Sequence, residues 1–226
     1  MCDEKSNYEH LEKLATDAGF TLFGVADILT IREKFHLDNK LVKTFNRGIS
    51  LGVRLLDAVI DEIKDKPTTL YFHHYKQVNF FLDRGALLLA FEIQNRGYKS
   101  LPIPASQIID WEKQQSHVSH KKVGYFAGLG WIGRNNLLVN PTVGSRYRLV
   151  TLLTDFPLTV DKPIEKNCAE CRRCISVCPA QAISEKPEDF DHQKCFAKLK
   201  EFRKSGLVGQ YICGVCVKAC HGQKKA

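Results

Sequence analysis

Apolar positions recur at helical spacing over Tyr8–Ala18, where Leu11, Leu14, Ala15 and Ala18 share a face and Gly19 follows as a stop. Phe20–Asp27 alternates as a strand does, marked by Phe20, Leu22 and Val25. Thr30–Leu37 and Asn39–Arg47 read as helices, the second ended by Gly48. Ile49–Leu55 reads as a strand leading into a variable segment closed by Lys66-Pro67. The clearest long helix is Tyr75–Arg96, with Val78, Phe81, Leu82, Leu88, Leu89 and Ile93 as its apolar stripe and Gly97 as its cap. Tyr98–Ile103 is a strand that Pro102 and Pro104 make short or confine to an edge. Ser119–Ala127 fits a helix, and Leu137–Asn140 with Arg146–Thr154 fit paired strands across the turn Asn140–Gly144. A linker, Pro157–Pro163, precedes a cysteine-rich module, and the chain holds no internal repeat. The pattern predicts an α/β (α+β) protein, with a mixed domain over residues 1–158 and a metal domain over residues 159–226.

Composition narrows the class. The 226 residues are 44% hydrophobic and 26% charged, which excludes disorder, collagen and coiled coil for the whole chain. The apolar stretches Gly85–Phe91 and Gly206–Val217 are too short to span a bilayer, and no apolar leader follows Met1. The expectation is a cytoplasmic protein in a reducing compartment. The net charge is +8, and residues 167–226 carry 11 basic against 6 acidic side chains. Such a surface suits nucleic acid, a buried anionic cofactor or an acidic redox partner. Without an aromatic–basic repeat, nucleic acid is not the expected partner.

Eight of the nine cysteines lie between residues 168 and 220, and Cys2 stands apart as incidental. Clustering of this kind in a reducing compartment points to metal rather than disulfides. Cys168-x2-Cys171-x2-Cys174-x3-Cys178-Pro179 has the bacterial ferredoxin spacing, in which the fourth cysteine serves the other of two [4Fe–4S] clusters. Cys213-x2-Cys216-x3-Cys220 completes the count if Cys195 joins. One cluster then takes Cys168, Cys171, Cys174 and Cys220, and the other Cys178, Cys195, Cys213 and Cys216. The segment Phe196–Ile212 is expected to be a helix and loop over the second cluster. Two zinc sites of four thiolates would use the same eight residues, but the unbroken run with its trailing proline favours iron–sulfur.

A second constellation is Gly128-Leu-Gly130-Trp131-Ile-Gly133-Arg134-Asn135, which closes a helix and so differs from a dinucleotide fingerprint, which opens one. Its glycines serve either close approach to a large ligand or a tight turn. Together with Leu138-Val-Asn-Pro141, Leu153-Thr-Asp-Phe-Pro157 and the cysteine module, this segment resembles epoxyqueuosine reductase and, more widely, the corrinoid reductive dehalogenases. The match covers residues 117–220 well and residues 8–116 collinearly. The resemblance implies a nitroreductase-like domain holding cobalamin, followed by a ferredoxin-like domain whose two [4Fe–4S] clusters feed it electrons. It implies that Gly128, Gly130, Trp131, Gly133 and Asn135 line the corrinoid site. The family's catalytic acid lies in an Asp-Thr-Ala-Pro type segment. Here that region reads Pro102-Ile-Pro-Ala-Ser-Gln-Ile-Ile-Asp110, which leaves Asp110 as the nearby candidate.

Further candidate proton donors are Tyr75, His117 and His120, the histidines competing with helix capping and surface solvation. His73 and His74 share that ambiguity, and Arg134, Arg146 and Arg148 suit either a cofactor's amides and phosphates or a strand surface. The chain ends six residues after Cys220, where the tRNA-modifying members continue, so a short branch of the family is expected. The function expected is an oxidoreductase that passes electrons from a ferredoxin or flavodoxin through two clusters to a corrinoid or a small-molecule substrate. The alternative is a two-cluster electron carrier or reductive activator, against which a domain of some 160 residues ahead of the clusters argues.

Overall fold

The structure is a computed structural model, described here over residues 3–112 and 114–223; Cys2 lies outside them. In chain order the elements are α1 (Glu4–Asp17), β1 (Leu22–Asp27), α2 (Asn39–Val42), β2 (Arg47–Arg54), α3 (Asp57–Asp61), α4 (Thr69–Asn95), β3 (Ser100–Ile103), α5 (His120–Phe126), β4 (Trp131–Ile132), β5 (Leu138–Val139), β6 (Tyr147–Thr154), α6 (Arg173–Ser176), α7 (His192–Lys204) and α8 (Val215–Ala219), with short 3₁₀ turns at Arg32–Lys34 and Pro187–Asp189. The class is mixed α/β with an antiparallel sheet. Among the described residues no helix is long and apolar enough to cross a membrane.

The chain forms two compact units, each discontinuous in sequence, whereas the expected domains were continuous. The first comprises residues 3–53, 79–129 and 148–164, and the second residues 54–78, 130–147 and 165–223. The first is built on a sheet of order β1-β2-β6-β3. Leu22 faces Gly52 and Asp27 faces Arg47 in one antiparallel pair, and Ser100 faces Thr154 in another. Val25, Ile49, Leu152 and Leu153 of the strands are fully buried with Leu11 and Ala15 of α1 and Leu82, Leu89 and Ile93 of α4. Two close approaches fix the layers. A Cβ on Gly24 would lie 2.2 Å from the Ala127 carbonyl, and one on Gly85 would lie 2.2 Å from the Phe20 ring.

Three expectations are corrected. Leu137–Asn140 and Arg146–Thr154 do not form a hairpin: β5 pairs with β4, and β6 sits inside the four-stranded sheet. The run Val150–Thr154 is buried throughout, its two threonines included, as a strand covered on both faces requires. The turn before it closes on itself, Asn140 and Gly144 exchanging backbone hydrogen bonds of 2.8 and 2.9 Å with Gly144 at φ +65°. Second, Thr30–Leu37 and Asn39–Arg47 hold only a 3₁₀ turn and α2. The Asp38 carboxylate caps α2, and the Thr44 hydroxyl donates to the Leu41 carbonyl at its end. Arg47 is then drawn into β2, where cross-strand pairing outweighs helix propensity. Third, α4 starts six residues early because the Thr68 hydroxyl accepts the Tyr71 N–H. Its buried face is Val78, Leu82, Ala86, Leu89 and Ile93, while Phe81 and Leu88 are largely exposed.

The second unit holds the β4–β5 ribbon, α3, α6, α7 and α8. The expected helix and loop over Phe196–Ile212 is the body of α7 and the turn after it. Phe196 is buried edge-on against Tyr211 at 5.2 Å.

Candidate metal centre

The loop that opens the cysteine module is held by backbone turns and by one arginine. The Cys168 carbonyl accepts the Cys171 N–H at 2.9 Å, and the Asn167 side chain accepts the Ala169 N–H at 2.7 Å. Arg134 donates to the carbonyls of Glu185 (2.6 Å), Cys171 (2.8 Å) and Ala169 (2.9 Å). A fixed guanidinium fork matches three carbonyls in a way that a lysine cannot. Helix α6 presents Cys174, α7 presents Cys195 and α8 presents Cys216. The Asp191 side chain caps α7 by accepting the Lys194 N–H at 2.9 Å. Cys178 Sγ accepts the Ala182 N–H at 3.4 Å, a donor placed to stabilise negative charge on sulfur.

All eight cysteines of the module are free thiols, and their electrostatic neighbours divide them. Burial pushes the Cys174 thiol up to about 12, helped by Cys220, Cys168 and Cys171. Burial raises Cys195, helped by Cys178, and pushes Cys213 up to about 11, helped by Cys195 and Cys178. Burial also raises Cys216, helped most by Cys213 and Cys195 and less by Cys174 and Cys178. Cys174 thus has Cys168, Cys171 and Cys220 as charged neighbours, while Cys195, Cys213 and Cys216 share Cys178, and Cys216 also feels Cys174. Among the described residues, no three Cys, His, Asp or Glu side chains converge closely enough to hold a single metal ion.

Two buried polar groups of this unit lack partners among the described residues: one on Trp131, which the resemblance placed at a corrinoid, and one on Tyr147, which the sequence did not single out. Trp131 Nε1 and the Tyr147 hydroxyl have no hydrogen-bond partner among the described residues. Burial, and then the nearby Cys220, raise the Tyr147 phenol. Nothing local in the sequence marks either group, because the orphaning follows from long-range packing.

The glycine turn serves the chain's own packing. A Cβ on Gly130 would lie 2.1 Å from the Val139 carbonyl, one on Gly133 2.6 Å from the Val139 side chain, and one on Gly128 (φ +68°) 2.8 Å from the Lys162 carbonyl. Asn135 is buried, donating to the Ser145 hydroxyl at 3.1 Å and accepting the Leu137 N–H at 3.3 Å.

The proton-donor candidates are dispersed. Asp110, His117 and His120 belong to the first unit and Tyr75 to the second. Asp110 bridges Gln115 and accepts the Glu112 N–H at 2.9 Å. His117 Nδ1 donates to the His36 carbonyl at 2.9 Å, while the His36 N–H donates to the His117 carbonyl. His120 Nε2 donates to the Pro104 carbonyl at 2.9 Å, which leaves Nδ1 to accept the Thr151 hydroxyl at 2.8 Å. Burial holds the His120 imidazole at about 4. Tyr75 is buried edge-on against Tyr71 at 6.3 Å. His74 Nε2 accepts the Leu56 N–H at 3.2 Å. Arg148 donates to Asn79 and to the Ala105 carbonyl, so it too holds the chain together.

No family model matches the chain. An epoxyqueuosine reductase from Cyclobacterium marinum is 28% identical over 93% of this chain and 77% of its own length. Another from Aliivibrio fischeri is 39% identical over 44% of this chain and 29% of its own. Among solved structures, the catabolic reductive dehalogenase NpRdhA in complex with 3-bromo-4-hydroxybenzoic acid has a TM-score of 0.79 at 19% identity, covering 99% of this chain and 33% of that one. A reductive dehalogenase described for B12-dependent dehalogenation gives the same values. The epoxyqueuosine reductase from Streptococcus thermophilus has a TM-score of 0.66 at 20% identity, covering 96% and 66%. An epoxyqueuosine reductase with an epoxyqueuosine-modified tRNA-Tyr stem loop has a TM-score of 0.59 at 20% identity, covering 94% and 64%. The chain thus spans a third of the dehalogenases and just under two thirds of these solved reductases. The chain is a homologue of the epoxyqueuosine reductases and shares its fold with them and with the reductive dehalogenases.

Proposed function

We propose that the protein is an iron–sulfur reductase whose second unit holds two [4Fe–4S] clusters and whose substrate is an epoxyqueuosine nucleoside in tRNA or a close analogue. The gathering of eight free thiols in one unit, four of them at the ferredoxin spacing, carries this reading. Cys168, Cys171, Cys174 and Cys220 would hold one cluster, and Cys178, Cys195, Cys213 and Cys216 the other. Tetrahedral zinc needs its thiolates roughly 4 Å apart. Against two such sites, the unbroken four-cysteine run with its trailing proline favours iron–sulfur. The orphaned Tyr147 hydroxyl beside Cys220 fits as well, since a thiolate-bound cluster offers it acceptor sulfur. When bound, such clusters supply one-electron transfer at low potential.

The chain's own residues do the rest. Arg134 fixes the carbonyls around Cys171, and Ala182 donates to Cys178 Sγ. Reducing an epoxide to an alkene consumes two electrons and two protons and releases water. Asp110 and His117 are the proposed sources of those protons. His120, held neutral between Thr151 and Pro104, orients its surroundings instead. A corrinoid cradle at Gly128, Gly130, Trp131, Gly133 and Asn135 does not fit this geometry. The Cβ positions of the three glycines are filled by Lys162 and Val139, Trp131 Nε1 is sealed from contact, and the Asn135 amide is engaged. No step is therefore assigned to cobalt.

Anaerobic reconstitution with iron and sulfide tests the reading. About eight irons per chain are expected, falling to about four in Cys171→Ser or Cys213→Ser. Binding of about two zinc ions, with no iron retained, would refute it. Titrating the iron-loaded protein with cob(II)alamin and following the cobalt EPR signal then decides whether a corrinoid binds. Turnover with an epoxyqueuosine-modified stem loop decides the substrate.

A further inference from the structure

A cavity of about 540 Å³ opens on the second unit, walled by α6, α8 and the segments around Asp61 and Arg146. Its lining bears four cations, Lys64, Arg146, Arg173 and Lys218, against one carboxylate, Asp61. Arg146 is committed to Asp57, Asp61 and the Lys218 carbonyl, and Lys218 to the carbonyls of Asp61 and Ile63. Lys64 and Arg173 are exposed, and neither has an ion-pair partner among the described residues. Val177 adds an apolar surface that is 41% exposed. The wall is also the backbone that carries the thiols. Arg173 precedes Cys174, Val177 precedes Cys178, Val215 precedes Cys216, and Ala219 and His221 flank Cys220. Two thiols from each group of four therefore lie one residue from the cavity wall.

We propose that this cavity is the docking site of an acidic one-electron carrier protein, with Lys64 and Arg173 steering it and Val177 forming the dry contact at the point of transfer. The inference rests on the two-cluster reading. In the step itself the carrier's reduced cofactor loses one electron and the thiolate-held centre gains it, with no bond made or broken. Charge complementarity argues for an acidic partner, and an exposed apolar residue ringed by cations is how a transient redox contact is built. The short path through the wall's own backbone gives this face a purpose that a general basic surface lacks.

The test uses the iron-loaded full chain with reduced flavodoxin as the probe. Stopped-flow absorbance follows cluster reduction, and binding to oxidised flavodoxin is measured separately by calorimetry. Lys64→Glu and Arg173→Glu are each expected to slow reduction by about tenfold and to weaken binding similarly, with a flattened salt dependence. Reduction by dithionite should be unchanged. Equal iron content and unaltered cluster spectra in the variants establish that the centres are intact. Flavodoxin rates and affinities within about twofold of wild type would overturn the docking site, as would loss of RNA stem-loop binding with flavodoxin binding retained. Failure of the wild-type chain to bind iron would instead sink the reading on which the inference rests.

Discussion

His120 offers a sharp test of which histidine in this fold can donate protons. Its ring is closed in by the Thr151 hydroxyl on one nitrogen and the Pro104 carbonyl on the other, and burial outweighs that carbonyl to hold it at about 4 against an ordinary 6.5. At pH 7 only about one molecule in a thousand carries the imidazolium. The unfolded chain takes up a proton near its ordinary value, whereas the folded chain resists until about 4. Stability from this residue is therefore fully present above 6.5 and is lost as pH falls, until the folded ring itself protonates. Between about pH 7.5 and pH 5 the loss is about 2 kcal/mol. Denaturation curves for wild type and His120→Gln across that range isolate the contribution, because other titrating groups act equally on both. Wild type should lose about 2 kcal/mol more than the variant. Parallel curves, or an imidazole resonance titrating near its ordinary value, would refute the assignment and restore His120 as an acid.

Other expectations follow from single contacts. Arg146→Ala removes a buried guanidinium and strips the Lys218 carbonyl of two donors, at 2.6 and 3.1 Å, while Asp57 and Asp61 are exposed enough to be solvated. A loss of about 2–3 kcal/mol in denaturant unfolding is expected. Gly144→Ala combines φ +65° with a Cβ placed 2.0 Å from the Cys220 carbonyl, so it should cost about 3 kcal/mol or more and lower iron retention. Ser50→Ala removes a fully buried hydroxyl that has no partner among the described residues, and should raise stability by about 1 kcal/mol.

The cysteine module stood out as one unit because its information is local. A run with gaps of two, two and three residues fixes three thiols around one loop, and the remaining count leaves few ways to finish. The sides of Cys195 and Cys220 rest on arithmetic alone; the electrostatic neighbours are Cys178 for Cys195 and Cys174 for Cys220. Errors arose where a distant partner decides. The strand β6 alternates little and could have been half of a hairpin; only its burial on both faces shows that it belongs inside the sheet. The early start of α4 was written in Thr68, a cap that the apolar stripe overshadowed.

The glycine turn shows the same limit in the candidate site. Three glycines in six residues invite a ligand, but what fills their Cβ positions is the Val139 backbone and side chain and the Lys162 carbonyl. Neither residue lies within the motif. Arg134, inside that motif, likewise looks outward in sequence and inward in space: its three carbonyl partners lie 35 to 51 residues away, around the first cysteines of the module. The motif is thus tied to the thiols through Arg134 and through Gly133, whose Cβ position is 3.5 Å from Cys168 Sγ. A glycine turn that packs against the cysteine loop constrains both at once. Any bulk added at Gly133 would be felt at Cys168, so the glycine turn and the first cysteines of the module are parts of one packed structure.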